Sequence, residues 1–147
     1  MTRKEAREQA FILVFEKLFQ KDCSMEEIIA LGDELSVPGD AENTLAKANG
    51  FTKELALGVE KEGVHIDALI GKYAIGWKIG RIPKVTLSIL KIALYEMSYC
   101  ENVPVSVSIN EAVDLAKKYS TKEDSAFING ILGSYSRDLE KNDVSGD

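Results

Sequence analysis

The stretch Thr86-Leu-Ser-Ile-Leu-Lys-Ile-Ala-Leu-Tyr-Glu-Met97 constrains this chain more than any other. Leu87, Leu90, Leu94 and Met97 recur at helical spacing, and Ile89, Ile92 and Ala93 fill the flanks, so only Lys84, Ser88, Lys91 and Tyr95 form a polar strip. A helix that is apolar around most of its circumference is stable only when other helices surround it. This one is therefore expected to be the central post of an all-α fold. Glu96 falls on the Ile89 and Ile92 side, where an unpaired carboxylate is costly, and it is expected to meet hydrogen-bond donors there.

No segment alternates convincingly with period two, and the helical periodicities predict an all-α fold of about seven helices. Arg3 to Gln20 reads as an amphipathic helix, with Ala6, Ala10, Leu13, Val14 and Leu18 joined on a wide apolar face by Phe11, Phe15 and Phe19. Ser24, with Glu27 three residues on, caps a second helix to Leu35, and Ser36 to Asp40 is a turn. A third helix, Ala41 to Lys61, carries Leu45, Ala48, Thr52, Leu55 and Val59 on one face and is ended by Gly63. His65 to Tyr73 follows as a shorter helix. Gly71 to Pro83 divides the halves, with Trp77 expected to plug the joint and a partly exposed, partner-facing ring as the alternative. The helix after the central one starts between Pro104 and Ser108 and turns Ile109, Ala112, Val113, Ala116 and Tyr119 inward. Thr121 caps the last helix, whose Phe127, Ile128, Ile131, Leu132 and Tyr135 face the core. Gly50, Gly58, Gly130 and Gly133 are read as points of close helix approach. Residues 1–138 are expected to form one domain and 139–147 a polar, frayed tail.

Charge separates the function classes. The net charge of -6 argues against a generic nucleic-acid binder. Residues 1–21, however, hold five basic and three acidic groups, and residues 71–95 hold five basic groups and no acid. These two segments either converge on one patch or are solvated faces that balance acidic neighbours. No apolar run approaches the roughly 20 residues of a membrane span, and the charged start lacks a signal-peptide core, so a cytoplasmic protein without a membrane segment is expected. Cys23 and Cys100 stand far apart without a CxxC or a histidine neighbour and read as reduced thiols. His65, the single histidine, suits a surface or capping role. There is no phosphate loop, dinucleotide fingerprint, zinc-protease motif or nucleophile elbow, so no catalytic residue, metal ligand or cofactor is assigned. A binding module is favoured over an enzyme.

The residues just described also carry a resemblance. Leu90-Lys-Ile-Ala-Leu-Tyr-Glu-Met97, Val103-Pro104, Ile109-Asn-Glu-Ala-Val-Asp-Leu-Ala-Lys117 and Phe127-Ile-Asn-Gly-Ile-Leu132 resemble the NusB family of bacterial transcription antitermination factors. Ala6-Arg7-Glu8, Ala10 and Trp77 extend the resemblance over nearly the whole chain. It implies an all-helical protein of two three-helix halves sharing a core, which binds boxA-type single-stranded RNA together with the small-subunit ribosomal protein NusE. The pair then joins elongating RNA polymerase with other Nus factors. By position, the resemblance places RNA binding on Arg3, Lys4 and Arg7 in the first helix, and on Lys122 and Phe127 at the start of the last. Cations there would neutralise phosphates with salt-dependent affinity, and an edge-exposed Phe127 would stack on an unpaired base.

The family often has a denser N-terminal arginine cluster, which Glu5 interrupts here. Weak RNA binding alone, and tighter binding with the basic partner docked on the acidic surface, is therefore expected. Self-association of some relatives leaves monomer and homodimer both open. A related helical fold occurs in some ribosomal RNA methyltransferases, but no motif of their catalytic domain is present. The alternative function is a helical protein-interaction scaffold that touches no RNA.

Overall fold

The computed structural model describes residues 2–34 and 50–145. Among these residues there are seven α-helices and no strand: α1 (Arg3–Phe19), α2 (Met25–Glu34), α3 (Gly50–Lys61), α4 (Gly63–Tyr73), α5 (Lys84–Tyr99), α6 (Val105–Tyr119) and α7 (Lys122–Ser145). One 3₁₀ turn, Ile79–Arg81, precedes α5. The expected turn at Ser36 to Asp40, and the Leu45 and Ala48 part of the third helix, lie outside the described residues.

The chain forms two compact units, Met1–Glu62 and Gly63–Asp147. The boundary therefore precedes α4 and does not fall in the Gly71 to Pro83 connection, because α4 packs on α5 and α7. Gly63 is the first residue of α4 and not a left-handed cap; Gly76 is the only glycine with positive φ among the described residues, at 83°.

In the first unit α3 packs along α1, and α2 packs against both. Thr2 opens α1 with a capping box: its hydroxyl accepts the Glu5 N–H at 3.1 Å while the Glu5 carboxylate accepts the Thr2 N–H at 3.2 Å. Ala6, Ala10, Phe11 and Val14 are buried against Leu55, Ala56 and Val59 of α3 and Met25, Ile28 and Ile29 of α2. Burial of each large aliphatic side chain contributes roughly 1.5–3 kcal/mol. The aromatic series on α1 fades outward, from buried Phe11 through Phe15 to Phe19, which is 62% exposed. Two polar contacts fix the start of α2, one within the helix and one to α3. The Ser24 hydroxyl caps α2 by accepting the Glu27 N–H at 3.1 Å, and the Met25 N–H donates to Glu60 Oε2 of α3 at 2.8 Å.

In the second unit α5 is the central post, with α4, α6 and α7 all packed on it. Ile89, Leu90, Ile92, Ala93 and Leu94 are buried, and Glu96 is 1% exposed. The polar strip is narrower than its residue types suggest. Ser88 is buried and donates to the Lys84 carbonyl at 2.7 Å, which satisfies its hydroxyl within the helix.

Helix α6 begins at Val105 with Pro104 as its N-cap, so Ser108 lies inside the helix and is buried. Its inner face centres on Ala112, Leu115 and Ala116, which rotates Tyr119 outward to an exposed position. Thr121 caps α7 as expected, accepting the Asp124 N–H at 3.1 Å, and Ile128, Ile131, Leu132 and Tyr135 are buried. The helix continues through Ser145, past the start of the expected frayed tail.

The glycines depart from the close-packing expectation. A Cβ at Gly50 or Gly130 would meet no atom within 4 Å, and at Gly133 it would meet only Arg137 Nη1 of its own helix at 3.5 Å. Gly58 is buried on α3.

Candidate nucleic-acid interface

At the start of α1 the capping box occupies Glu5, the acid that interrupts the basic residues in the sequence. Arg3 and Lys4 are exposed, beside the positive end of the helix dipole. The Arg3 guanidinium carbon lies 4.2 Å from the centroid of the Phe51 ring, and that of Arg7 lies 5.5 Å from it. Arg7 is only 4% exposed. One ring thus serves two cations, one open to solvent and one enclosed. Phe51 stands on α3 and is placed by its neighbour Thr52, whose buried hydroxyl donates toward the Ala6 carbonyl at 3.1 Å and Gln9 Oε1 at 3.2 Å.

The second unit holds Lys122 and Phe127 on α7. Lys122 is exposed in a first turn that also carries Glu123 and Asp124. The Ser120 hydroxyl donates to the Asp124 carboxylate and so occupies that acid locally. Phe127 is half-buried, and its ring centroid lies 5.4 Å from that of Trp77 at an interplanar angle of 59°.

Trp77 does not plug a joint. It is 51% exposed, next to Gly76 and to Ile75, which is 88% exposed. The left-handed Gly76 makes the reversal that leaves Ile75 and Trp77 outside the core, and the Trp77 N–H donates back to the Ala74 carbonyl at 3.0 Å. Lys78 and Arg81 follow in the same connection, both exposed.

Two of the remaining basic residues of this segment are engaged elsewhere. Lys91 pairs with Asp67 at 3.7 Å, and the Lys72 ammonium sits 5.3 Å from the Tyr73 ring centroid. Tyr73 donates to Asp138 at 2.6 Å; burial of the phenol, with the Asp138 hydrogen bond and charge, pushes its pKa up to about 12. A cleft of about 320 Å³ beside this pair is lined by His65, Leu69, Lys72, Tyr73, Tyr135, Asp138, Leu139 and Lys141. His65 is exposed, and its Nδ1 is 2.6 Å from the Tyr99 hydroxyl. Among the described residues no group of three His, Cys, Asp or Glu side chains is placed to hold a metal ion. None of their helices is long and apolar enough to cross a membrane.

Sequence reasoning missed Phe51 here, and for Trp77 it raised the exposed ring only as the alternative to a plug. Phe51 gives no local signal, because an aromatic residue in a helix ordinarily reads as core. Trp77 stands in an acid-free basic segment, and that signal was legible; the exposure of its ring was not.

The fold and these surfaces define a class: an all-α protein of two helical units, each presenting cations beside an aromatic ring and neither holding a metal-ligand cluster among the described residues. Comparison with known proteins narrows the class. The family model described as the NusB family matches residues 4–137, and the chain belongs to that family. The transcription antitermination protein NusB of Ruminiclostridium cellulolyticum is 41% identical over 138 residues, which cover 93% of this chain and 90% of that protein. The Bacillus subtilis protein of the same name is 37% identical over 141 residues, 96% of this chain and 99% of its own. Among solved structures, T. maritima NusB has a TM-score of 0.78 at 28% identity, covering 93% of this chain and 92% of that one. A chain from the crystal structure of the antitermination factors NusB and NusE in complex with double-stranded RNA shares the fold, with a TM-score of 0.71 at 22% identity over 90% of this chain and 93% of that one.

Proposed function

We propose that this protein is a cytoplasmic, non-enzymatic transcription antitermination factor that binds boxA-type single-stranded RNA together with the ribosomal protein NusE and joins the RNA polymerase elongation complex with other Nus factors. The observation that carries the reading is the half-exposed Trp77 ring against Phe127, followed by exposed Lys78 and Arg81. An aromatic platform beside cations suits unpaired bases, which offer a π-face and a nearby phosphate, better than a closed duplex. In this reading Trp77 and Phe127 stack on bases, while Arg3, Lys4 and Lys122 meet phosphates. Arg7 adds positive potential from its enclosed position beside Phe51.

The protein's net charge of -6 opposes RNA at long range, so a basic partner strengthens binding by supplying the missing positive field. The test is a titration of boxA-type RNA, with and without NusE, across a salt series. Sequence-selective binding that NusE strengthens and salt weakens is expected, with quenching of the single tryptophan as its ring stacks. Replacing Lys4→Ala is expected to reduce the slope of log affinity against log salt by about 0.7, one single-strand phosphate contact.

The second reading, a protein-interaction scaffold, is favoured by one feature: Ile75, almost fully exposed beside Trp77, offers apolar surface to a protein partner. Binding of NusE with no RNA binding in any combination, by a folded protein, would establish the scaffold instead.

A further inference from the structure

We propose that Phe51 is a positioning residue for RNA binding: its ring holds the Arg3 guanidinium in the place from which it engages a phosphate. The proposal rests on the RNA-binding reading above. Three observations carry it. First, the guanidinium carbon of Arg3 lies 4.2 Å from the Phe51 centroid, close enough for stacking on the ring face. Secondly, the acid nearest in sequence is already engaged, since the Glu5 carboxylate accepts the Thr2 N–H; among the described residues Arg3 has no carboxylate partner. A guanidinium held by its flat face keeps its in-plane N–H donors free, and those are the donors that fork onto a phosphate. Thirdly, the ring is itself fixed. Thr52, the residue after Phe51, is tied to the carbonyl of Ala6, the residue before Arg7, and this sets the register of the ring against α1.

Arg7 closes the arrangement from within. Its guanidinium lies 5.5 Å from the same centroid and is enclosed, so the ring cannot move toward α1 without displacing a buried cation. A long, rotamer-rich side chain that is ordered before binding loses less entropy when the phosphate arrives. Phe51 therefore acts on affinity through Arg3 and needs no contact with RNA.

The test begins without RNA. In the folded full-length chain, NMR should show the Arg3 side-chain protons shifted upfield by the Phe51 ring current. The shift should be lost in Phe51→Leu, which keeps an apolar side chain for packing, and kept in Phe51→Tyr. RNA affinity is then measured with NusE present for wild type, Phe51→Leu, Phe51→Tyr, Arg3→Ala and the Phe51→Leu/Arg3→Ala pair. Phe51→Leu is expected to lose about two- to fivefold in affinity, the size of an exposed cation–π contact, and Phe51→Tyr to retain it. In the Arg3→Ala background, Phe51→Leu should add nothing. An equal loss in both backgrounds would make Phe51 merely structural and overturn the proposal, as would unchanged affinity once the ring-current shift is gone. Absence of RNA binding by the wild type overturns the RNA-binding reading itself, and the NMR shift then still reports whether the stack exists.

Discussion

The two units use aromatic rings in opposite ways. In the first, Phe51 is half-buried and serves cations on a neighbouring helix, so the exposed chemistry is that of Arg3 and Lys4. In the second, Trp77 is itself the exposed group, and Phe127 supports it from α7. The difference follows from the backbone that carries each ring. Phe51 rides on α3, which a hydroxyl-to-carbonyl bond ties to α1, whereas Trp77 follows a left-handed glycine in a connection between helices. A ring on a packed helix turns toward its neighbours. A ring in a reversal is free to face solvent and to present its π-face to a ligand.

The largest effect that sharpens this contrast is one of stability. Leu94→Ala, in the buried wall of α5, is expected to cost about 2–5 kcal/mol in urea unfolding. Trp77→Ala should cost far less, about 0.5–1.5 kcal/mol for the lost contact with Phe127. Comparable losses would restore Trp77 to the core and break the comparison. Next is affinity: if Trp77 is a platform, Trp77→Ala should weaken RNA binding by about 1–3 kcal/mol while Trp77→Phe retains most of it, read by fluorescence anisotropy on an end-labelled RNA.

A smaller effect tests the first unit. Thr2→Ala removes the cap of α1 and should lower stability by about 1 kcal/mol in thermal melts, with RNA affinity falling because Arg3 and Lys4 sit in the turn that frays. Intact affinity would show that the basic residues act independently of helix order.

The smallest effect at neutral pH concerns neither ring platform. Tyr73 holds its proton up to about pH 12 in the folded protein, against the ordinary 10.0 of a free phenol. The folded state therefore binds more protons than the unfolded chain between these values, and stability should fall as pH rises from about 10 to about 12. Tyr73→Phe should flatten that part of the alkaline profile, and any neutral-pH cost is that of the lost hydrogen bond to Asp138.

Much of the fold was legible because helical periodicity is a local property. The α5 pattern predicted a surrounded post, Thr121 and Ser24 announced helix starts, and Ile128, Ile131 and Leu132 marked an inner face, all as found. The failures share another cause. Tyr119 was expected on the inner face of α6, but the packing of Ala112, Leu115 and Ala116 turns it outward. Gly130 looked like a packing residue, yet nothing approaches it, because a missing side chain does not say whether a neighbour fills the space. Of the candidate site, Arg3, Lys4 and Lys122 are exposed as a surface role requires, whereas the enclosure of Arg7 had no sequence signature.

The sequence by itself determined the class of fold, the order of its helices and the family, since these depend on residue spacing along one chain. Only the tertiary structure decided which rings are open, which arginine is enclosed and which ring holds it. Exposure is set by the neighbours that packing brings, and Phe51 meets Arg3 across more than forty residues of chain. No local pattern encodes that encounter.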